Sequence, residues 1–522
     1  MSVQSALRVD RLAGVSRMRG RLRSRVHVMY LRHIPFAGRV LPLSARARTG
    51  RVVGAFCLVQ ALAGCFVDTE KPELKLEVPD RYRLAQGAVE AAPPALDWWR
   101  GFRSGELTAL VEEAQTANFD IAVAIANILQ ADAQVRTAGA ALLPDASGGG
   151  SITRSRASSG GTGSGGKGPS IAPDRTSYQV LGNASYILDF WGQNRAALLA
   201  ADENAVAKRY AREVVVLTTM SDVANAYFQV LAAQDRLRVA RDDVAAASRI
   251  LTLIKERMTV GTASSLEVSQ QEALVATQRA SIPPLEITLR QNEATLALLM
   301  GRAPEHFSIK GGTLDTLTAP RVTPGLPSEL LNQRPDIRQA EAELRSTNHS
   351  VESARAAFFP SIQLTSQAGF QSLALASLFG TPAFFYSAAA SVTQPIFDGG
   401  LKLGGLELAQ GQQVAALQTY RKSVISAFTD VENALVSLQQ QTTRERLQAD
   451  VVKSSREAFS ISETRLREGT LDLVTLLNTQ QTLFQAQDTL IQVRLARFLG
   501  FVSLFQALGG GWPPHIKGER PA

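Results

Sequence analysis

The residues able to do chemistry are few and scattered. Beyond position 65 the only histidines are His306, His349 and His515, widely separated, with no HExxH and no His/Cys pairing. A zinc site or a nucleophile–base pair needs such side chains at set spacings, so metal-assisted and triad chemistry have nothing to stand on. Gly161-Thr162-Gly163-Ser164-Gly165-Gly166-Lys167 superficially resembles a phosphate-binding loop. Gly168 stands where a Ser or Thr hydroxyl is required, and no strand-to-helix context surrounds it. An extracellular hairpin loop is the expected setting, and Arg334-Pro335-Asp336 reads as a helix start, with Pro in the first turn and an acid at the positive end of the dipole. No catalytic residue, cofactor or metal is expected.

The exception is a covalent role for Cys65. Arg46, Arg48 and Arg51 precede the apolar run Val52 to Ala63, which ends in Leu62-Ala63-Gly64-Cys65. A positive flank, a short apolar core and small residues before a cleavage point make a secretory signal. The ending resembles a bacterial lipobox, which implies cleavage before Cys65 and acylation of its thiol. A run of about 12 apolar residues is too short to span a bilayer. The stretch before Arg46 is long for a signal, and Met29 offers a later start. Cys57 leaves with the leader, so no disulfide or thiolate metal site forms within one mature chain.

The leader also accounts for the charge. Met1 to Gly64 holds 12 Arg and one acid, Asp10; subtracting that +11 from the overall +8 leaves −3 for the rest. The basic balance therefore gives no support for a nucleic-acid partner.

The elements that carry the remaining residues form one unit written twice. Ala140-Ala141-Leu142-Leu143-Pro144 answers Ala356-Ala357-Phe358-Phe359-Pro360. Asp222-Val223-Ala224-Asn225-Ala226 answers Asp430-Val431-Glu432-Asn433-Ala434, and Gly261-Thr262 answers Gly469-Thr470. Each copy reads as helix, strand pair, very long helix, return helix. From Gln193 to Val260, and from Gln412 to Glu468, there is no Gly or Pro; at about 1.5 Å per residue these helices are on the order of 85 to 100 Å long. Small apolar residues interleaved with polar ones suit lateral coiled-coil packing, so large aromatic cores are not expected, and no stretch reads as a transmembrane helix. The long helices turn at Arg257 to Thr262 and Arg465 to Thr470, with Gly261 and Gly469 as left-handed terminators and Thr262 or Thr470 able to cap the next helix. Pro283-Pro284 breaks the return helix of the first copy only. The expected organisation is a leader (1–64), an N-terminal anchored segment (65–103), a first repeat (104–301, hairpin 146–190), a linker (302–327), a second repeat (328–508, hairpin 361–396) and a tail (509–522).

The strands decide the class. In Tyr178 to Phe190, Ser361 to Phe370 and Phe384 to Ile396, apolar and polar residues alternate with period 2 and aromatics lie near the ends. Segments of about 10 to 13 residues with that pattern are the signature of transmembrane barrel strands, and the Gly-rich Ala146 to Ser155 is a weaker fourth. Four strands cannot close a barrel and open edges are not tolerated in lipid, so the chain is expected to oligomerise.

Five motifs carry a family resemblance: Trp98-Trp99-Arg100-Gly101-Phe102 with Glu106 to Val111, Leu331 to Ile337 around Arg334-Pro335-Asp336, Gln394-Pro395-Ile396-Phe397-Asp398-Gly399-Gly400, and Ala507-Leu508-Gly509-Gly510-Gly511-Trp512. The sequence resembles the TolC-like outer-membrane efflux proteins, and among them the OprM- or NodT-type lipoproteins. That resemblance implies a mainly α fold with transmembrane β, a homotrimer with a twelve-stranded barrel and a helical periplasmic tunnel. It implies a passive, non-enzymatic exit duct for small molecules, working with a periplasmic adaptor and an inner-membrane pump, RND-type, and seated in outer-membrane lipid. Phe66 after Cys65 lacks the aspartate of inner-membrane retention, in keeping with that location. By resemblance, adaptor docking falls on Arg257, Val260, Gly261 and Thr262 at one tip and on Arg465, Gly469 and Thr470 at the other. The periplasmic gate falls on Leu471, Val474, Thr475 and Asn478, expected on one helical face, with Asn478 where family members carry an aspartate. Asp472 is expected to face a neighbouring chain. Two other classes share parts of this pattern, a duct for polypeptide secretion and a structural periplasmic coiled-coil lipoprotein.

Overall fold

The computed structural model describes residues 95–156, 174–320 and 327–510, with Pro79, Tyr82 and Trp512. Cys65, the leader and the Gly161 to Lys167 loop lie outside the described residues.

Each repeat starts with a helix running into a hairpin. In the first, α1 (Gly105–Ala117) and α2 (Phe119–Ala140) precede strands β1 (Asp145–Ser155) and β2 (Arg175–Leu188). Then come α3 (Gln193–Thr259), α4 (Ser265–Ala280) and α5 (Ile282–Leu299). In the second, α6 (Pro327–Gln333) and α7 (Pro335–Ala356) lead into β3 (Ser361–Ser372) and β4 (Phe384–Thr393), followed by α8 (Leu401–Arg467) and α9 (Leu473–Ala507). Helices α3 and α8 have the same length, 67 residues, about 100 Å. Helix α8 begins before Gln412 and runs through Gly404, Gly405 and Gly411, whose helical cost its length absorbs. The first return helix breaks at Ser281, ahead of Pro283 and Pro284, as the missing proline N–H requires; the second is continuous.

The junction from strand to long helix is built alike in both copies. The Asp189 carboxylate accepts from the backbone N–H of Asn194 and Arg195, both at 2.9 Å, and the Asp398 carboxylate from Gly400 (3.0 Å) and Lys402 (3.1 Å). Each reaches past a left-handed glycine, Gly192 or Gly399, to donors that the helix start leaves without partners. The Asp398-Gly399-Gly400 motif is thus a helix-start device.

The four strands form one antiparallel sheet in the order β1-β2-β3-β4, so its central pairing joins the two copies. Register places Ile152 opposite Tyr178, Val180 opposite Phe370 and Phe370 opposite Phe384; Tyr186 lies opposite Leu364, and Leu364 opposite Ala390. Directly opposed residues share a face. One face therefore carries most of the aromatic and aliphatic residues across all four strands, and the other carries Ser151, Gln179, Asn183, Gln363, Gln367, Ser387 and Ser391, with Leu181, Ile187 and Phe385 among them. Both faces are largely exposed, and β1 and β4 keep unpaired edges within the chain.

The core departs from two expectations. A large aromatic cluster exists: Trp98, Phe102, Phe228, Phe498 and Phe505 are buried together, with Trp98 stacked on Phe505 at 5.1 Å and Phe102 edge-on to Phe228 at 4.9 Å. Two helices, α3 and α9, are also long and apolar enough by composition to cross a membrane. Their apolar residues are those of this core, and burial against other helices accounts for them. The Trp98 to Phe102 motif itself is thus packed into the helices. The linker is strapped on similarly: Glu106 accepts from the N–H of Lys310 (2.7 Å) and Gly311 (3.1 Å), and Asp235 from Leu314 N–H (3.0 Å).

Arg334 stands immediately before α7, with Pro335 first in the helix and Asp336 in its first turn. Its guanidinium holds Asp336 (2.7 Å), Asp430 (3.0 Å) and the Ala507 carbonyl (3.2 Å), which ties α7, α8 and α9 at one point. Trp512 donates to the Gln333 carbonyl at 2.5 Å, so two of the sequence motifs meet here.

Candidate docking tips and gate

Both long helices end in the same hydrogen-bonded turn. Gly261 (φ +77°) donates to Met258 O at 3.0 Å and Thr262 to Arg257 O at 2.9 Å; Gly469 (φ +73°) donates to Leu466 O at 3.1 Å and Thr470 to Arg465 O at 2.9 Å. These are the paired bonds of a Schellman C-cap, which calls for a left-handed residue at the glycine position. The threonine hydroxyls donate to the same arginine carbonyls, at 3.0 Å from Thr262 and 3.2 Å from Thr470. Thr262 and Thr470 therefore close the preceding helix and do not cap the next, contrary to the expectation. The next helices are capped by Ser264 and Asp472. Ser264 accepts from Glu267 N–H at 3.3 Å while Glu267 accepts from Ser264 N–H at 2.5 Å, a capping box. The Ser-x-x-Glu spacing at 264–267 is the sequence signal for that cap, and it stands only two residues beyond the glycine–threonine pair that masks it.

Capping explains the glycines and threonines but makes no use of the arginine side chains, and these differ. Arg257 Nη1 donates to Leu466 O of the other tip at 2.9 Å, and Nη2 to Thr262 O at 3.4 Å. Arg465 is exposed and has no side-chain partner among the described residues. Beneath the turns, Ile250, Ile254, Leu466, Leu473 and Leu476 pack the two hairpins into one apolar end. Val260 protrudes beyond it, exposed.

Three of the four residues expected at the gate lie on the opposite side of α9 from that apolar end. Leu473 and Leu476 point into it, while Val474 (52% exposed), Thr475 and Asn478 are on the exposed face of the first two turns. Leu471 precedes the cap and is outside the helix, so it does not share that face by helical spacing, which corrects the expectation. Asp472 caps its own helix: it accepts from Thr475 N–H at 2.9 Å and Oγ1 at 2.7 Å. Those bonds hold its carboxyl below the ordinary aspartate range. A negative charge thus sits beside Thr475 although Asn478 is neutral. Among the described residues no group of three His, Cys, Asp or Glu could hold a metal ion.

Comparison with known proteins accords with this architecture. The family model "Outer membrane efflux protein" matches residues 110–302 and 326–510. The pyoverdine export outer membrane protein OpmQ of Pseudomonas aeruginosa is 36% identical over 445 residues, covering 85% of this chain and 93% of OpmQ. The toluene efflux pump outer membrane protein TtgC of Pseudomonas putida is 31% identical over 459 residues, covering 86% and 93%. The crystal structure of the open state of the Neisseria gonorrhoeae MtrE outer membrane channel superposes with a TM-score of 0.75 at 28% identity, over 85% of this chain and 97% of that one. The chain therefore belongs to the outer membrane efflux protein family, with its TolC-like α/β fold, and is an outer-membrane channel component of an efflux system.

Proposed function

We propose that three copies of this chain form a passive exit duct for small molecules, anchored in the outer membrane by acylation of Cys65. The observation that carries the reading is the sheet: an apolar face, a polar face and two unpaired edges within one chain. In lipid such edges need partners, and three times four strands reach the size at which a barrel closes. The apolar face then meets lipid and the polar face lines water. Energy comes from an RND-type inner-membrane pump, and the periplasmic adaptor docks on the tips at Arg257, Val260, Gly261, Thr262, Arg465, Gly469 and Thr470. The duct catalyses no reaction. The gate is a ring of Val474, Thr475 and Asn478, with Leu471 at its entrance and the Asp472 charge drawn back onto the helix start. The segment divisions at 64, 103, 301, 327 and 508 correspond in this reading to leader, anchor, first repeat, linker, second repeat and tail.

Planar-bilayer recording of the purified protein tests both parts. Stepwise conductance is expected, and its absence under all voltages would remove the duct. Asn478→Asp is expected to raise cation selectivity by adding three charges to the ring; unchanged selectivity would take position 478 off the pore wall.

A further inference from the structure

About 25 Å back from the tip along α3, where Ser281 interrupts the first return helix, α3, α4, α5 and α9 line an open-sided cavity of about 430 Å³. Val239, Leu285 and Phe484 give it apolar walls, and Gln481 and Gln485 give it amide groups. Two acids and one base line it, but only one charge is left over. Arg236 is held in a two-pronged pair with Asp488, Nε to Oδ1 at 2.6 Å and Nη2 to Oδ2 at 3.2 Å. Asp243 is 7% exposed, lines the same cavity and has no hydrogen bond or ion pair among the described residues. In the second repeat the return helix α9 is continuous, so the interruption at Ser281 is not repeated there.

An isolated buried carboxylate is costly unless something compensates it. Its charged neighbours make matters worse: Asp242 on its own helix and Asp488 on α9 both repel it, while α4 and α5 present only Gln278, Ser281, Pro284 and Leu285 to the cavity. Burial first, then these two carboxylates, push the Asp243 carboxyl up to about 7.

We propose that this cavity is a binding site for a small organic cation, a protonated amine whose ammonium pairs with Asp243 and whose hydrocarbon part lies on Val239, Leu285 and Phe484. The chemistry of the lining selects that class. A bare metal ion would want several carboxylates in place of apolar walls, and the cavity is far larger than such an ion. An anion finds no free positive charge, because Arg236 is spent on Asp488. A cavity with mostly apolar walls and one charged end is the usual form of a small-molecule site. Proton and ligand compete for the same carboxylate, so binding strengthens as pH rises through 7. The site does not rest on conduction by the duct.

The test is calorimetric titration of the full-length protein in detergent with n-butylammonium, and with n-butanol as its uncharged counterpart. At pH 8 butylammonium is expected to bind and butanol to bind at least tenfold more weakly. Lowering the pH to 6 should weaken the amine about tenfold, as one unit below the carboxyl's midpoint implies. Asp243→Asn keeps the shape, so it should retain the oligomer and the circular dichroism while losing tenfold or more in affinity and all of the pH dependence. Leu285→Trp, filling the cavity from a half-buried wall, should block binding with the charge intact. No binding to the natural protein at pH 8, equal affinity in Asp243→Asn or in Leu285→Trp, or equal binding of butanol overturns the proposal.

Discussion

Helices α3 and α8 have the same length and the same place in their repeats, yet 27 residues of α3 are buried and only 10 of α8. Matched positions, 208 apart, show where they diverge. Leu217 is 6% exposed and Ile425 57%; Phe228 is 0% exposed and Val436 43%. Ala232 and Ala233, both buried, correspond to Gln440 and Gln441. Helix α3 is covered by α1, α2, α4, α5, α7 and α9, whereas α8 meets mainly α7 and α9. The exposed stripe of α8 holds Leu403, Val414, Ile425, Val436 and Leu447, three turns apart. Apolar side chains regularly spaced on a long helix and left uncovered by their own chain mark an interaction surface. Duplication supplied two equal helices; one became the core of the protomer, and in the proposed trimer the other is the seam between protomers.

The largest effect that can break this comparison comes from its matched residues. Phe228→Ala removes a ring packed at 4.9 Å from Phe102 and 5.3 Å from Phe498, and should cost about 3–5 kcal/mol. Loss of folded protein in thermal melts is the expected result. Ile425→Asp should leave the protomer's helical content intact and separate the copies, read by native mass spectrometry. A stable Phe228→Ala protein, or a trimeric Ile425→Asp protein, would erase the distinction between core and seam.

The tips repeat the contrast on a smaller scale. Arg257 is spent on the Leu466 carbonyl of the other hairpin, and Arg465 reaches solvent. Arg257→Ala should lower stability by about 1 kcal/mol, the worth of a half-exposed hydrogen bond. Arg465→Ala should leave the melting temperature unchanged and reduce export in cells by weakening adaptor contact. If the two variants behave alike in both assays, the tips are equivalent and the Arg257 bond is incidental.

How much of this was legible depends on the range of the interaction. The length of α3, the break before Pro283 and the faces of β2, β3 and β4 follow from local periodicity and proline chemistry, and all appear in the sequence; α8 starts 11 residues ahead of the Gly-free run at Gln412, because packing carries the helix through Gly404, Gly405 and Gly411. The aromatic cluster does not: Trp98, Phe228 and Phe498 are separated by more than 100 residues each, and only packing brings them together. The same limit applies at the candidate site. The glycine turns at 261 and 469 are local and could be read. The link from Arg257 to Leu466 joins two repeats, and the Asp243 cavity joins four helices, so no spacing rule exposes either.

The smallest expected difference is between the two helix starts after the tips, and it has a definite pH signature. Ser264 caps α4 with a hydroxyl, which does not titrate, so Ser264→Ala should cost about 1 kcal/mol. Asp472 caps α9 with a carboxylate held below its ordinary range by the Thr475 hydroxyl and N–H. A carboxyl depressed on folding contributes stability that is fully present above its unfolded value and is lost as pH falls through its folded one. The α9 cap should thus be intact at pH 7 and open progressively below about pH 4. Amide exchange at Thr475, corrected for the intrinsic rate, should lose its protection on that descent, and Asp472→Asn should flatten the dependence. Protection at Thr475 that is independent of pH in the natural protein would mean that the carboxylate does not hold the cap. The charge would then be free to face the pore beside Asn478.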